Sequence, residues 1–162
     1  MNKVYVCVSI GHGGISAEQI IKDIDAIKVD EIPILINSPG GDFLEGLAIY
    51  NVIKSTKKKT IAHIEGIAAG IASIIALAAD EIYMRREAYL MICEPSIFRP
   101  EGEEQQDKDK ELITKITDAL IDIYVSASKK TKKEIETMMK AETWITADEA
   151  LEMGFIDAIE RY

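Results

Sequence analysis

Two rhythms of apolar and polar residues alternate along the first half of the chain. Val4 to Ile10 reads as a strand, and Gly11-His12-Gly13-Gly14 as the turn that ends it. Ser16 with Gln19 three residues on is a capping-box pattern, and Ile20, Ile21, Ile24 and Ile27 follow it at helical spacing. Glu31 to Asn37 is almost continuously apolar, which predicts a parallel strand buried on both faces. After Ser38-Pro39-Gly40-Gly41 a helix is expected from Asp42 or Phe43, carrying Leu44, Leu47, Ala48, Tyr50 and Ile53. In the stretch from Lys59 to Met84 the pattern predicts a strand over 60–65, a turn at Gly66, a small-residue helix from Ala68 to Ala79 and a strand over 81–84.

The second half is more helical. A short strand is expected at Tyr89 to Cys93 and a loop from Ser96 to Gln106, where two Pro-containing steps meet an acidic cluster. A long amphipathic helix then runs from about Asp107 to Ser128, with Leu112, Ile113, Ile116, Leu120, Ile123 and Tyr124 on its apolar face. Thr131 with Glu134 and Thr146 with Glu149 are two further capping boxes, separated by a short strand at Trp144-Ile145. Gly154 is a helix C-cap, and 155–159 closes the chain. Strands and helices in this alternation predict an α/β protein with mostly parallel strands. At 162 residues the whole chain, 1–162, fits a single domain.

Composition narrows the classes of function. The formal net charge of −9 argues against nucleic acid or an anionic membrane as a partner. The longest apolar run, 67–79, falls short of a membrane span, and the N-terminal stretch lacks the pattern of a signal peptide. Two cysteines, Cys7 and Cys93, make no disulfide framework and no metal-type spacing, so a cytoplasmic protein is expected, with no metal and no cofactor.

Candidate chemistry concentrates at two glycine-rich strand ends. Gly40-Gly41 closes a buried strand, and two consecutive glycines can turn their N–H groups toward a ligand. The small residues from Gly66 to Ala72 let something approach the backbone closely where a strand becomes a helix, a geometry suited to an oxyanion. They equally suit close helix packing. His12 reads as a turn residue, His63 as packed or half-exposed, and Ser73 as bonded back to its own helix.

Several segments together resemble the Clp protease proteolytic subunit family, within the broader Clp/crotonase superfamily. They are Ile36-Asn37-Ser38-Pro39-Gly40-Gly41, Gly46 to Asn51, Gly66 to Asp80, Met91 to Pro95, and Ala141 to Gly154. The likeness is greatest to the short phage and prophage head-maturation form. It implies a Clp/crotonase-like spiral of repeated β-β-α units with a long helix in the C-terminal half. It also implies homo-oligomeric rings, heptameric or stacked, and an AAA+ unfoldase or phage assembly proteins as partners. By the same resemblance the nucleophile position falls on Gly70, the histidine position on Cys93 and the acidic position on Glu142. Gly41 and Ile71 match the oxyanion-hole positions, and Gly40 the substrate-binding wall. The expectation is a serine-peptidase-family subunit with a degenerate triad, catalytically impaired and ring-forming. An active ATP-dependent Clp-type or head-maturation endopeptidase is the first alternative. A crotonase-like acyl-CoA enzyme is the second, since Gly66 to Gly70 also resembles the crotonase turn, which needs no serine.

Overall fold

The computed structural model describes residues 2–96 and 107–161. In chain order its elements are β1 (Val4–Val6), α1 (Ala17–Ala26), β2 (Glu31–Ser38), α2 (Phe43–Ser55), β3 (Lys59–Ala69), α3 (Ile71–Ala76), β4 (Glu81–Arg85), β5 (Tyr89–Ile92), α4 (Asp107–Ser126), α5 (Lys132–Lys140), β6 (Thr143–Thr146), α6 (Ala147–Met153) and β7 (Ala158–Glu160). Most of the loop expected at 96–106 lies outside the described residues.

The strands form one mixed sheet in the order β1-β2-β3-β4-β7, with every neighbouring pair on this path parallel. β5 joins it by running parallel to the far end of β3, and β6 pairs with β5 antiparallel. β3 thus has two successive partners on one edge: β4 along Ile61–Ile64 and β5 along Ile67–Ala69. Between those spans the register against β2 shifts, Ile36 facing Ile64 but Ser38 facing Ala68. The Asn37 side chain repairs the irregularity, its Oδ1 accepting the Ile67 N–H at 3.1 Å. Gly66 makes room for it, since a Cβ there would lie 2.8 Å from that oxygen. Gly66 is therefore a bulge glycine inside a strand and not the expected turn. The strand continues to Ala69, and the turn comes at Gly70.

Helix α3 is shorter than the 68–79 expected, and all six of its residues are buried, as an element apolar on every side must be. It lies in one hydrophobic cluster with Ile20, Ile24 and Ile27 from α1 and its end, Ile49 and Ile53 of α2, and Ile32, Ile34 and Ile36 of β2. Each such isoleucine contributes about 1.5–3 kcal/mol on burial. β2 is buried on one face only, with Pro33 and Leu35 half-covered on the other, so the two-sided burial expected of it does not hold. That second face carries ion pairs where β3, β4 and β7 meet, Arg85 with Glu65 (3.1 Å) and with Glu160 (3.5 Å), and Glu160 is also hydrogen-bonded to His63 Nδ1 (3.1 Å). No helix among the described residues is long and apolar enough to cross a membrane.

The capping signals act locally. Asp42 accepts the Glu45 N–H at 2.7 Å and starts α2. Thr131 and Thr146 both make reciprocal boxes, with Glu134 and Glu149. At Ser16 only the forward half forms. Its Oγ accepts the Gln19 N–H, while the Gln19 amide turns to Asp23.

Candidate functional site

The site is built where β3, β5 and β6 end side by side. Gly70 follows β3 with positive φ, at φ +54 and ψ −125, and opens α3. Its N–H donates to Met91 O at 2.9 Å, so the pairing of β3 with β5 carries into the turn. Cys93 lies just past the end of β5. A Cβ built on Gly70 would meet a single atom among the described residues within 4 Å, the Cys93 Sγ at 3.5 Å. The antiparallel register ends with Ile92 facing Thr143; Cys93 and Glu142 are the next residues on each chain, and the Glu142 carboxylate lies near enough to act on the Cys93 thiol. Glu142 is the one non-glycine residue with positive φ among the described residues, at +49. Its N–H donates to Met139 O and finishes α5. Gly70, Cys93 and Glu142 are thus brought together from positions 23 and 49 residues apart by two strand registers.

Cys93 is half-buried. Burial pushes its thiol up from the ordinary cysteine value, and the Glu142 carboxylate adds to the shift. At neutral pH this sulfur is held as S–H, and the thiolate is the nucleophilic form. Neither histidine adjoins it. His12 is exposed in the Gly11–Gly14 turn, and His63 lies on the ion-paired sheet face, its ring 5.7 Å from that of Tyr83.

The glycine pair of the 38–42 loop lies against the same turn. Gly40, at φ +93, approaches so closely that a Cβ would be 2.6 Å from Ala69 O and 3.5 Å from Ile71 N. Gly41 is bridged to Ile10: the Ile10 N–H donates to Gly40 O at 2.9 Å, and the Asp42 N–H to Ile10 O at 3.0 Å. In that bridge the Gly41 N–H points away from Ile10. Neither it nor the Ile71 N–H is taken up by the turn and cap hydrogen bonds among the described residues. Beside Gly41 a cleft of about 630 Å³ runs between His12, Phe43 and Leu44 on one side and Pro95, Ile113 and Ile116 of α4 on the other. It is large and apolar enough for a peptide side chain and its backbone.

One element of the site escaped the sequence reading. Ser73 is buried, and it does bond back to its helix, but its Oγ also lies 2.7 Å from the Tyr124 hydroxyl of α4. A serine inside an all-apolar helix and a tyrosine on an apolar face are the two signals that could have matched them, because a buried phenol needs a partner.

A strand that ends in a positive-φ glycine turn and a short buried helix lies here against a glycine loop whose Gly40 N–H is taken by Ser38 Oγ and whose Gly41 N–H faces away from Ile10, in a Clp/crotonase-like fold. Among solved structures, a single-substitution mutant of ClpP1 from Listeria monocytogenes superposes with a TM-score of 0.87 at 20% identity, covering 99% of this chain and 92% of that one. Residues 9–162 match the Clp protease family. The ATP-dependent Clp protease proteolytic subunit 1 of Protochlamydia amoebophila is 30% identical over 97% of this chain and 79% of that protein. The subunit 1 of Chlamydia trachomatis is 32% identical over 89% and 79%. The chain belongs to the Clp protease family. Among the described residues no group of three or more His, Cys, Asp or Glu side chains is placed to hold a metal ion.

Proposed function

We propose that this chain is a ring-forming Clp-family subunit whose hydrolytic site is impaired. One observation carries the reading: the backbone turn at Gly70 has no side chain, and the atom its Cβ would face is a thiol held protonated. In this reading Gly70 stands at the nucleophile position, Cys93 at the base position and Glu142 at the acidic position. Gly41 and Ile71 supply the oxyanion N–H groups, and Gly40 forms the substrate wall. Without a nucleophile the acyl-enzyme route is closed. The N–H groups that remain can bind a carbonyl and give only the weak residual catalysis of a site without its triad. The resemblance to the family supports a homo-oligomer, heptameric or of stacked rings, working in the cytoplasm beside an AAA+ unfoldase or in phage assembly.

The similarity to relatives named as ATP-dependent Clp protease proteolytic subunits favours a second reading, a working endopeptidase. Labelling of the intact protein by a fluorophosphonate and by iodoacetamide, beside turnover of a fluorogenic peptide, separates the two. The impaired reading expects no fluorophosphonate adduct and no turnover. Turnover abolished by alkylation of Cys93 would transfer the chain to the second reading. The site assignment has its own test, the double substitution Gly70→Ser with Cys93→His. With a Cβ at position 70 only 3.5 Å from the residue-93 side chain, a hydroxyl and an imidazole placed there come within hydrogen-bond reach. Hydrolysis of small peptide esters should appear in the double variant and in neither single one. Full activity of Gly70→Ser alone would show that the base has been assigned to the wrong residue.

A further inference from the structure

Behind the Gly70 turn, on its core side, two polar side chains are sealed from solvent. Ser73 and Tyr124 are each about 1% exposed, and they come from α3 and from α4. The Ser73 hydroxyl donates to the Gly70 carbonyl at 2.7 Å, and the Ser73 N–H donates to the same oxygen at 3.0 Å. The only hydroxyl proton of Ser73 is used in that bond, so the Tyr124 O–H, 2.7 Å away, donates to Ser73 Oγ. The result is a short polar chain from α4 through α3 to one backbone oxygen, with each buried hydroxyl partnered.

That oxygen belongs to the peptide joining Gly70 to Ile71. The peptide unit is planar and trans, so its C=O and N–H point in opposite directions. Two hydrogen bonds draw the carbonyl toward the core, and the Ile71 N–H is turned the other way. Glycine cannot fix this plane through its own side chain, since it has none and its φ and ψ are permissive. The orientation must come from outside the residue. We propose that Ser73 and Tyr124 are positioning residues: they lock the Gly70–Ile71 peptide so that the Ile71 N–H is presented to the site, and they make that aim depend on where α4 is seated. The inference rests on the reading of Ile71 as an oxyanion donor.

Two arms test it. In the otherwise native, fully assembled protein, hydrogen–deuterium exchange of the Ser73 amide reports how firmly the Gly70 carbonyl is held. Tyr124→Phe, which keeps ring and volume, should speed that exchange about fivefold while amides of β2 stay unchanged, as for a local opening. Ser73→Ala should do the same or more. In the Gly70→Ser, Cys93→His background, adding Tyr124→Phe should lower kcat about tenfold at constant KM, the signature of support felt only in the transition state. Unchanged Ser73 exchange in Tyr124→Phe overturns the proposal, as does an unchanged kcat in the restored background. A restored background with no activity would count against the triad assignment and not against this one, which the exchange arm then decides alone.

Discussion

Replacing Gly46 by alanine sets two effects of known sign against each other. Gly46 lies within α2, and in a helix interior alanine is favoured over glycine by about 1 kcal/mol. On that ground alone the variant would be more stable. Packing opposes it. A Cβ at position 46 would stand 2.1 Å from Ile71 Cγ1, 3.0 Å from Cγ2 and 3.1 Å from Cβ. Carbon atoms in contact sit roughly 3.5–4.0 Å apart, so the overlap exceeds what vibration absorbs. A rotamer change cannot relieve it, because both γ branches of Ile71 lie in the way and a β-branched side chain on a helix has one favoured χ1. α2 must back away from α3, and with a contact of 2.1 Å the cost falls in the upper part of the overpacking range, about 2–3 kcal/mol. The balance is a net loss of about 1–2 kcal/mol, and for a chain of this length a fall in Tm of roughly 2–8 °C. Thermal and urea unfolding followed by circular dichroism, at one fixed protein concentration because oligomers shift with it, would measure the loss. A variant that melts at or above the native temperature would refute the reasoning. It would mean that the α2–α3 approach is soft and that Gly46 is only a weak helix residue.

Three further expectations follow from the site and its supports. Gly40→Ala puts a methyl 2.6 Å from Ala69 O at a positive-φ position, so it should destabilise the fold, by about 1–3 kcal/mol on backbone strain alone, in the same melting assay. Iodoacetamide should alkylate Cys93 more slowly at pH 7 than a free peptide thiol and speed up as pH rises above the ordinary cysteine value; fast alkylation at pH 7 would show a thiolate and contradict the buried, Glu142-flanked environment. The Thr131 backbone and side-chain hydrogen bonds bring the Glu134 carboxyl down to about 2. Its folded value is below its unfolded one, so its contribution is complete above the unfolded value and fades as pH falls toward 2. The difference in stability between native and Glu134→Gln protein should therefore shrink across that acidic window, and a constant difference would refute the capping assignment.

The local grammar of this fold is legible in the chain, and its long-range grammar is not. Thr131, Thr146, Asp42 and Gly154 act within three or four residues of themselves, and each terminates or starts its helix as its chemistry dictates. The same short range misleads at Gly66. A glycine between a β-rich run and an alanine-rich one reads as a turn, and only the Asn37 side chain, arriving from another strand, makes it a bulge. Ile21 matches the helical spacing of its neighbours yet stays 45% exposed, because the spacing gives a stripe and not its width. Gly70, Cys93 and Glu142 were assigned through family resemblance, and their adjacency depends on the β3–β5 and β5–β6 registers, which no local pattern encodes. The Ser73–Tyr124 bond spans 51 residues and left only two weak compositional traces.

The bulge in β3 sets the site apart from the long parallel body of the sheet. Before it, β3 is clasped on both edges, by β2 over Lys59–Ile64 and by β4 over Ile61–Ile64. Cys93 and Glu142 ride on the β5–β6 pair, which grips β3 only along Ile67–Ala69 and through the Gly70 N–H. The same pair buries Leu90, Ile92 and Ile145 in the hydrophobic cluster, so parting the two halves of the site would open the core with it, and the spacing between residues 70 and 93 is tied to the packing behind it. A ligand that bridges both halves would work as a clamp, and its presence should be readable as slower exchange at Gly70.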